Sequence, residues 1–418
     1  MLKTSLRVAL ALTALLAAAV MTKELRVRED ARRLVAEAEQ VLRPPLTRAP
    51  ELSRIDATRA CSLLDQAERM HPDAHTAAML SFAKALEEHQ KGRPDQARAA
   101  LARARRGLPA SADLDVLEAA IALQSGRQAD ASASAARALA REPRHLRARA
   151  LIADITADAG DPQRALSLLK SLIAEAPGIG TLHNRRGLAY EALGDRSAAA
   201  ADFERAAELD PSLPQPHINL GRLLRDQGRL REAEQEFGLA ITRGPSEAQA
   251  WLGRGLSRIG RGDVEGGSID IEQARALAPA EPGPLLALAD LDVWHGRLEQ
   301  AVERYRAAVV LAGSDAVAWL KLGNALARTR AYEAARSAFE HALELQPALA
   351  AAHNGLGAAL MGMGDQAGAE KAFGTAVALD RSDPNPARNL ALLRERAGHG
   401  NGRRPRRARS AQPRASLD

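Results

Sequence analysis

The chain has a single cysteine among its 418 residues, and aromatic residues make up only 3% of it. The lone thiol, Cys61, excludes an intramolecular disulfide and any metal site built from cysteine pairs. We expect it to be a small, buried, apolar residue. The shortage of aromatic side chains argues against a large β-sheet domain, because such residues are enriched in strands. The apolar 46% of the chain must therefore form its core largely from alanine and leucine in closely packed helices.

Proline, in contrast, recurs at a fixed 34-residue interval. The positions on this interval are Pro109, Pro143, Pro177, Pro211, Pro245, Pro279 and Pro347, with Gly313 in the one missing place. A period of this length is typical of repeat proteins, in which each repeat packs mainly on its neighbours. Proline ends a helix because it has no backbone N–H to donate, so each proline predicts a helix terminus.

Glycine and alanine mark other fixed places in each 34-residue repeat. The glycines that predict a turn between two helices, where φ is positive, are Gly92, Gly126, Gly160, Gly194, Gly228, Gly262, Gly296 and Gly364, with Arg330 as the exception. In the second helix of a repeat, a large apolar residue such as Phe339 lies between Ala335 and Ala342. This spacing predicts one buried stripe on each second helix.

The pattern resembles the tetratricopeptide repeat family over about residues 51 to 397. The residues that carry the resemblance most fully are Trp319, Leu322, Gly323, Leu326, Ala335, Phe339, Ala342 and Pro347. The resemblance implies an all-α fold, a right-handed superhelical solenoid of about nine helix-turn-helix repeats. The predicted divisions of this solenoid are a degenerate half-repeat over residues 51–77, nine repeats over 78–383 and a capping helix over 384–397.

The N-terminal segment, residues 1–22, is predicted to be a signal peptide or a signal anchor. Lys3 and Arg7 precede an apolar run from Val8 to Met21. As a helix this run is about 21 Å long, shorter than the ~30 Å hydrocarbon core of a bilayer. A cleavage site after Ala19 favours export, an uncleaved anchor is the alternative, and a soluble amphipathic start is a third possibility. We expect a protein of the cell envelope, exported to the periplasm or anchored in the inner membrane, with its sidedness open.

Residues 23–50 are predicted to form an amphipathic helix and a proline linker. The apolar stripe of this helix docks on the first repeat or mediates self-association. Residues 398–418 predict a basic, disordered tail. The chain carries a net charge of +6, of which the tail supplies +5 and the first seven residues +2, leaving −1 for the rest. A near-neutral array argues against a nucleic-acid partner, and the arginine-rich tail is either solvated or contacts an anionic partner.

No catalytic residue, cofactor or metal site is predicted, and we expect a chain that is not an enzyme. His183, His217 and His353 occupy the place where Trp251 and Trp319 stand in other repeats. Imidazoles in adjacent repeats are about 8–10 Å apart, too far to share one zinc ion at ~2 Å from each. These histidines are therefore interpreted as packing residues.

The resemblance places function in a concave groove lined by the first helix of each repeat. The predicted partner groove consists of Arg222, Arg225, Leu252, Leu256, Ile259, Leu286, Asp290, Val293, Trp294, Leu320, Asn324 and Arg328. Our hypothesis is that its apolar residues receive an amphipathic helix or an extended segment of a partner whose acidic flanks meet the arginines at the margins. The alternative is that the leucines and isoleucine are partly buried between neighbouring first helices.

Two functions follow from this organisation. The first is a non-catalytic scaffold that binds a protein or peptide segment in the groove and gathers envelope proteins, with membrane contact through residues 1–22 if these are retained. The alternative is an accessory or regulatory subunit of a membrane enzyme complex, in polysaccharide, lipopolysaccharide or cytochrome assembly.

Overall fold

A computed structural model describes residues 2–42 and 55–400 of the chain, with side chains described for residues 20–42 and 55–395. Every regular element in these residues is a helix. The chain divides into two compact units, residues 1–223 and 224–418, and the division falls inside one helix, Gln215–Asp226. The prediction of an all-α array of helix pairs is confirmed.

The described part of the first unit contains ten helices and the start of an eleventh. Their bounds are α1 Leu2–Leu42, α2 Ala57–Met70, α3 Ala74–Gln90, α4 Pro94–Gly107, α5 Ala112–Gln124, α6 Gln128–Arg141, α7 Leu146–Asp158, α8 Pro162–Glu175, α9 Gly180–Ala192, α10 Arg196–Leu209 and α11 Gln215–Asp226. Within this unit each helix from α1 to α9 packs on the next one in the sequence. The first helices α3, α5, α7 and α9 also contact one another in succession.

The second unit begins inside α11 and contains ten further helices in its described residues. Their bounds are α12 Leu230–Arg243, α13 Ala248–Gly260, α14 Val264–Leu277, α15 Pro282–Trp294, α16 Leu298–Leu311, α17 Ala316–Arg328, α18 Tyr332–Leu345, α19 Ala350–Met363, α20 Gln366–Leu379 and α21 Pro384–Gly400. The first helices α17 and α19 again touch each other as well as their own second helices.

The helix ends lie where the proline and glycine pattern predicts them. Helix α10 ends at Leu209 and α12 at Arg243, each two residues before a proline of the 34-residue series. The eight turn glycines all have positive φ, and Arg330 adopts the same conformation with φ 63. Several second helices begin at an aspartate whose carboxylate accepts a backbone N–H, as Asp195 does from Ala198 at 3.0 Å. These caps satisfy donors that a helix start leaves free.

Close contact between glycines and aromatic rings sets the packing inside the second unit. Phe339 of α18 is completely buried and lies against Gly323 of α17 and Gly355 of α19. A Cβ atom added at Gly323 would come within 2.6 Å of the ring, and one at Gly357 would approach Phe373 equally closely. The ring therefore favours glycine at these places, because an added side chain would overlap it unless the packing shifted.

The amphipathic stripe of α1 packs on the beginning of the array. Ala38 and Leu42 of α1 are buried together with Ala60 and Leu64 of α2. The half-repeat thus has a first helix, which is supplied by the C-terminal part of α1. Among the helices in residues 2–42 and 55–400, none combines the length and apolar character needed to cross a membrane.

Candidate functional site

The predicted groove residues lie on the first helices α11, α13, α15 and α17, and their apolar members are only half-exposed. Leu252, Leu256 and Ile259 of α13 pack against a cluster that contains Ile271 and Leu288. On α15 and α17, the residues that pack in the same way against the next cluster are Leu286, Val293 and Leu320. These side chains are shared between core and surface, as the alternative interpretation predicted.

Trp294, at the end of α15, is the exception among the apolar groove residues, since it is 70% exposed. The other two tryptophans, Trp251 and Trp319, are half-buried, and their indole nitrogens donate to backbone carbonyls at 2.9 and 3.0 Å. The ring of Trp294 is T-shaped to the neighbouring His295 ring, at 4.7 Å between centroids. An exposed indole of this kind is a residue type that often dominates binding energy at interfaces.

Most charged groups of the groove are already paired. Asp290 of α15 accepts a hydrogen bond from the Tyr305 hydroxyl at 2.5 Å, and it forms an ion pair with Lys321 at 2.6 Å. Burial, reinforced by the hydrogen bond to Asp290, raises the pKa of Tyr305, so the phenol stays protonated and acts as the donor. The Asp290 carboxylate therefore joins α15, α16 and α17 and leaves little negative charge for a partner to meet.

The three arginines at the margins of the groove differ in their partners. Arg222, in the first unit, forms an ion pair with Glu191 at 2.7 Å, and Arg225, in the second, lies 3.3 Å from Asp226. Arg328 is exposed, and within the described residues it makes no hydrogen bond or ion pair. Arg328 occupies the place in α17 that Trp294 occupies in α15, because the two residues are 34 positions apart. Asn324, one turn before it, is exposed as well.

The sequence interpretation missed a buried ion pair that two repeats share. Arg186 donates two hydrogen bonds to Asp202 at 2.7 Å, and Arg254 donates two to Asp270 at 2.8 and 2.7 Å. Both aspartates are buried. The available signal was an arginine directly before the recurrent glycine of the first helix, together with an aspartate directly before the large apolar residue of the second helix. Two later repeats have leucine and alanine at these two places, as Leu322 with Ala338 and Leu356 with Ala372.

Two of the histidines at the tryptophan position, His183 and His353, make the same hydrogen bond as the tryptophans. The imidazole Nε2 of His183 donates to the carbonyl of Pro177 at 3.1 Å, and that of His353 to the carbonyl of Pro347 at 2.9 Å. Trp319 makes the equivalent bond to Gly313. Each ring thus ties a first helix to the turn that precedes it.

Comparison with family models identifies the repeats. One tetratricopeptide repeat model matches residues 180–213, and a second matches residues 116–178, 218–282, 286–350 and 332–386, which together are more than half of the chain. The chain belongs to the tetratricopeptide repeat family. An architecture of this family supports a role in protein interaction.

The individual relatives are distant, and each alignment covers only a small part of a longer protein. Protein O-mannosyl-transferase TMTC1 of Mus musculus is 26% identical over 167 residues, 39% of this chain and 18% of that protein. The Hsp70-Hsp90 organizing protein of Triticum aestivum is 35% identical over 115 residues, 28% of this chain and 19% of that protein. The chain spans between 18% and 32% of the length of the first curated relatives that it matches.

Among solved structures, the chain is similar to the APC/C hetero-tetramer Cut9-Hcn1, with a TM-score of 0.58 and 17% identity. The alignment covers 81% of this chain and 73% of that chain. At this level of identity the similarity shows a shared fold and carries no function across.

Proposed function

We propose that the protein is a non-catalytic scaffold of the cell envelope that binds a protein segment on the first helices of its second unit. The observation that carries the proposal is the exposed Trp294 with the unpaired Arg328 one repeat further on. An indole supplies a large rigid contact area, and a guanidinium without an acidic partner is available for a carboxylate.

The spacing of these two side chains constrains the partner. First helices of adjacent repeats pack at about 8–10 Å. An extended segment advances ~3.3 Å per residue, so an apolar residue on Trp294 and an acidic residue on Arg328 would be about three positions apart. In a helix, at ~1.5 Å per residue, the same two residues would be about six positions apart. The half-exposed leucines of α13 and α15 extend the apolar contact beside Trp294.

Several observations support a scaffold without catalysis. The ionisable groups of the groove are paired with one another or lie apart, and they do not converge on one reacting position. The similarity to an O-mannosyl-transferase covers 18% of that protein, so the relative's name brings no activity to this chain. The envelope location rests on residues 1–22, whose short apolar run follows two basic residues.

A photo-reactive residue in place of Trp294, in the full chain and in cells, tests the groove. We expect a cross-linked partner from position 294 and none from position 310, because Val310 is 83% exposed but lies on the second helix α16. The variants Trp294→Ala and Arg328→Glu should lose the partner while keeping the helical signal and thermal midpoint. Equal cross-linking from both positions would contradict the proposal.

The envelope location has a separate test. The mature protein is purified from membrane and soluble fractions, and its N-terminal sequence is determined. A chain that begins at Val20 indicates export with cleavage, and an intact N-terminus in the membrane fraction indicates an anchor. An intact N-terminus found entirely in the cytoplasmic fraction would remove the envelope from the proposal and leave the groove untouched.

A further inference from the structure

A cavity of ≈ 230 Å³ lies in the first unit between α4, α5 and α6, away from the groove residues. Its cause is the composition of α6, which reads Ala-Ser-Ala-Ser-Ala-Ala-Arg-Ala over residues 131–138. Two of the α6 residues that line the cavity, Ala133 and Ser134, are small and leave space unfilled.

The wall of this cavity is cationic. The residues that line it are Arg98, Leu101, Ala102, Arg105, Glu118, Ile121, Ala122, Arg127, Asp130, Ala133, Ser134 and Arg137. The lining arginines outnumber the lining acids by two. Asp95 and Asp115, which pair with lining arginines, balance these two charges, and Arg141, which pairs with Asp115, adds one positive charge next to the cavity.

Two of the arginines that line the cavity, Arg98 and Arg127, are weakly held. Arg98 lies 3.2 Å from Asp95 and Arg127 lies 2.9 Å from Asp130, each pair three residues apart on an exposed helix turn. Exposed pairs of this kind contribute little free energy, so both guanidinium groups are available to a stronger acceptor.

The other two arginines that line the cavity, Arg105 and Arg137, are held in place by carboxylates. Arg105 bonds to Asp115 at 2.7 Å and to Glu118 at 2.9 Å, and Arg137 also donates to Glu118. Arg141 completes the cluster on the buried Asp115 at 2.9 Å. The Nε atom of Arg105 is buried and has no hydrogen-bond acceptor among the described residues. A buried donor without an acceptor is costly to the fold.

We propose that this cavity binds a phosphate monoester. Arginine binds phosphate through paired N–H donors, and the charge of a phosphate monoester, about −1.5 to −2, is opposite in sign to the excess charge of the lining. The cavity is smaller than the ~300–1,000 Å³ of sites that enclose drug-sized molecules, so it suits a single phosphate group rather than a whole nucleotide. The group belongs either to a small free molecule or to a phosphorylated side chain of a bound protein.

Isothermal titration calorimetry of the full chain at constant ionic strength tests the site with three probes. The probes are inorganic phosphate, a phosphoserine peptide and the same peptide with serine. We expect saturable binding of inorganic phosphate and no binding of the serine peptide. A phosphopeptide that binds more tightly than inorganic phosphate assigns the site to a phosphorylated protein, and equal affinities assign it to a free phosphate. Absence of saturable binding by both phosphate probes would overturn the proposal.

Variants locate the binding. Arg98→Gln and Arg127→Gln should each weaken phosphate binding roughly tenfold, since a hydrogen bond to a charged group is worth about 1.5 kcal/mol or more. Arg103→Gln is the matched control, because Arg103 is exposed on α4 but does not line the cavity. Ala133→Leu fills the cavity without changing charge and should also abolish binding. If Arg103→Gln weakens binding as much as Arg98→Gln, the attraction is unspecific and the site is refuted.

Discussion

The substitution Gly323→Ala tests whether a buried ring dictates the glycine spacing of the repeats. The new Cβ would lie 2.6, 2.7 and 2.9 Å from three atoms of the Phe339 ring. The ring has little room to retreat, because it is fully buried and Gly355 of the next repeat also packs against it. Alanine at position 323 must therefore displace either the ring or helix α17.

The expected magnitude is the difference between two opposing effects. Alanine improves the helix propensity of α17 by about 1 kcal/mol. Overpacking of a closed core costs about 1–3 kcal/mol. We take about 2 kcal/mol for the overlap, because the pair Ala289 and Tyr305 shows that this chain does place an alanine opposite a ring elsewhere. Gly323→Ala should then lower the local stability of its repeat by about 1 kcal/mol.

The control is Gly374→Ala, the same substitution inside helix α20 at a position with open space around the added Cβ. It should raise local stability by about 0.5–1 kcal/mol, since only helix propensity changes. Native-state hydrogen exchange of the amides in each helix is the suitable assay, because repeat arrays open locally and need not unfold in two states. The two variants should differ by about 2 kcal/mol, or roughly thirtyfold in the opening equilibrium.

A second substitution supplies the decisive comparison. In two other repeats alanine and leucine occupy these two places, as Ala85 with Leu101 and Ala153 with Leu169. The double variant Gly323→Ala with Phe339→Leu reproduces that pair, so its destabilisation should be less than the sum of the single changes. If Gly323→Ala stabilises α17 as much as Gly374→Ala stabilises α20, or if the double variant is simply additive, the ring does not dictate the glycine.

Two further outcomes follow from the ion pair and the turn. Asp202→Ala should cost about 3 kcal/mol because it leaves the Arg186 guanidinium without its partner, whereas Asp202→Ala with Arg186→Leu, as in other repeats, should be nearly neutral in chemical denaturation. Burial raises the pKa of Asp202, but the hydrogen bonds from Arg186 outweigh this and hold that pKa below its usual value. The Asp202–Arg186 pair therefore stabilises the fold above about pH 4, and this contribution is lost as the pH falls further. The thermal midpoint of the variant that lacks both residues should consequently fall less steeply in acid than that of the unaltered protein. Arg330→Gly should raise the free energy of unfolding by about 0.5–1 kcal/mol, and with it the thermal midpoint. The reason is that a left-handed backbone conformation costs arginine more than glycine.

The helix boundaries were predictable because they are set by local chemistry. Proline removes a backbone donor wherever it stands, and the 34-residue interval repeats that effect along the chain. The positive φ of the turn follows from the glycines, and the exception at Arg330 was visible as a break in the pattern. Such signals act within a few residues, so no tertiary information was needed to locate the helices.

The sequence predicted which helices carry the groove residues, but not how buried or how paired those residues are. The spacing placed Leu256 and Trp294 on first helices. Leu256 is half-buried against the core, whereas most of the Trp294 side chain is exposed. Arg222 pairs with Glu191 of the preceding repeat, and Asp290 pairs with Lys321 of the following repeat. These pairs removed charges that the sequence alone presented as available. A charge is free or paired only in relation to a side chain in the next repeat.

The amino-acid sequence by itself determined the repeat length, the helix ends and the residues that must be small, because these depend on backbone geometry and steric size at each position. Tertiary packing alone decided that Trp294 is exposed, that Arg328 has no partner within the described residues, and that the alanines and serines of α6 leave a cavity lined by arginines. Burial, pairing and empty space are properties of several helices at once, since each arises from side chains that are distant in the sequence and adjacent only after folding.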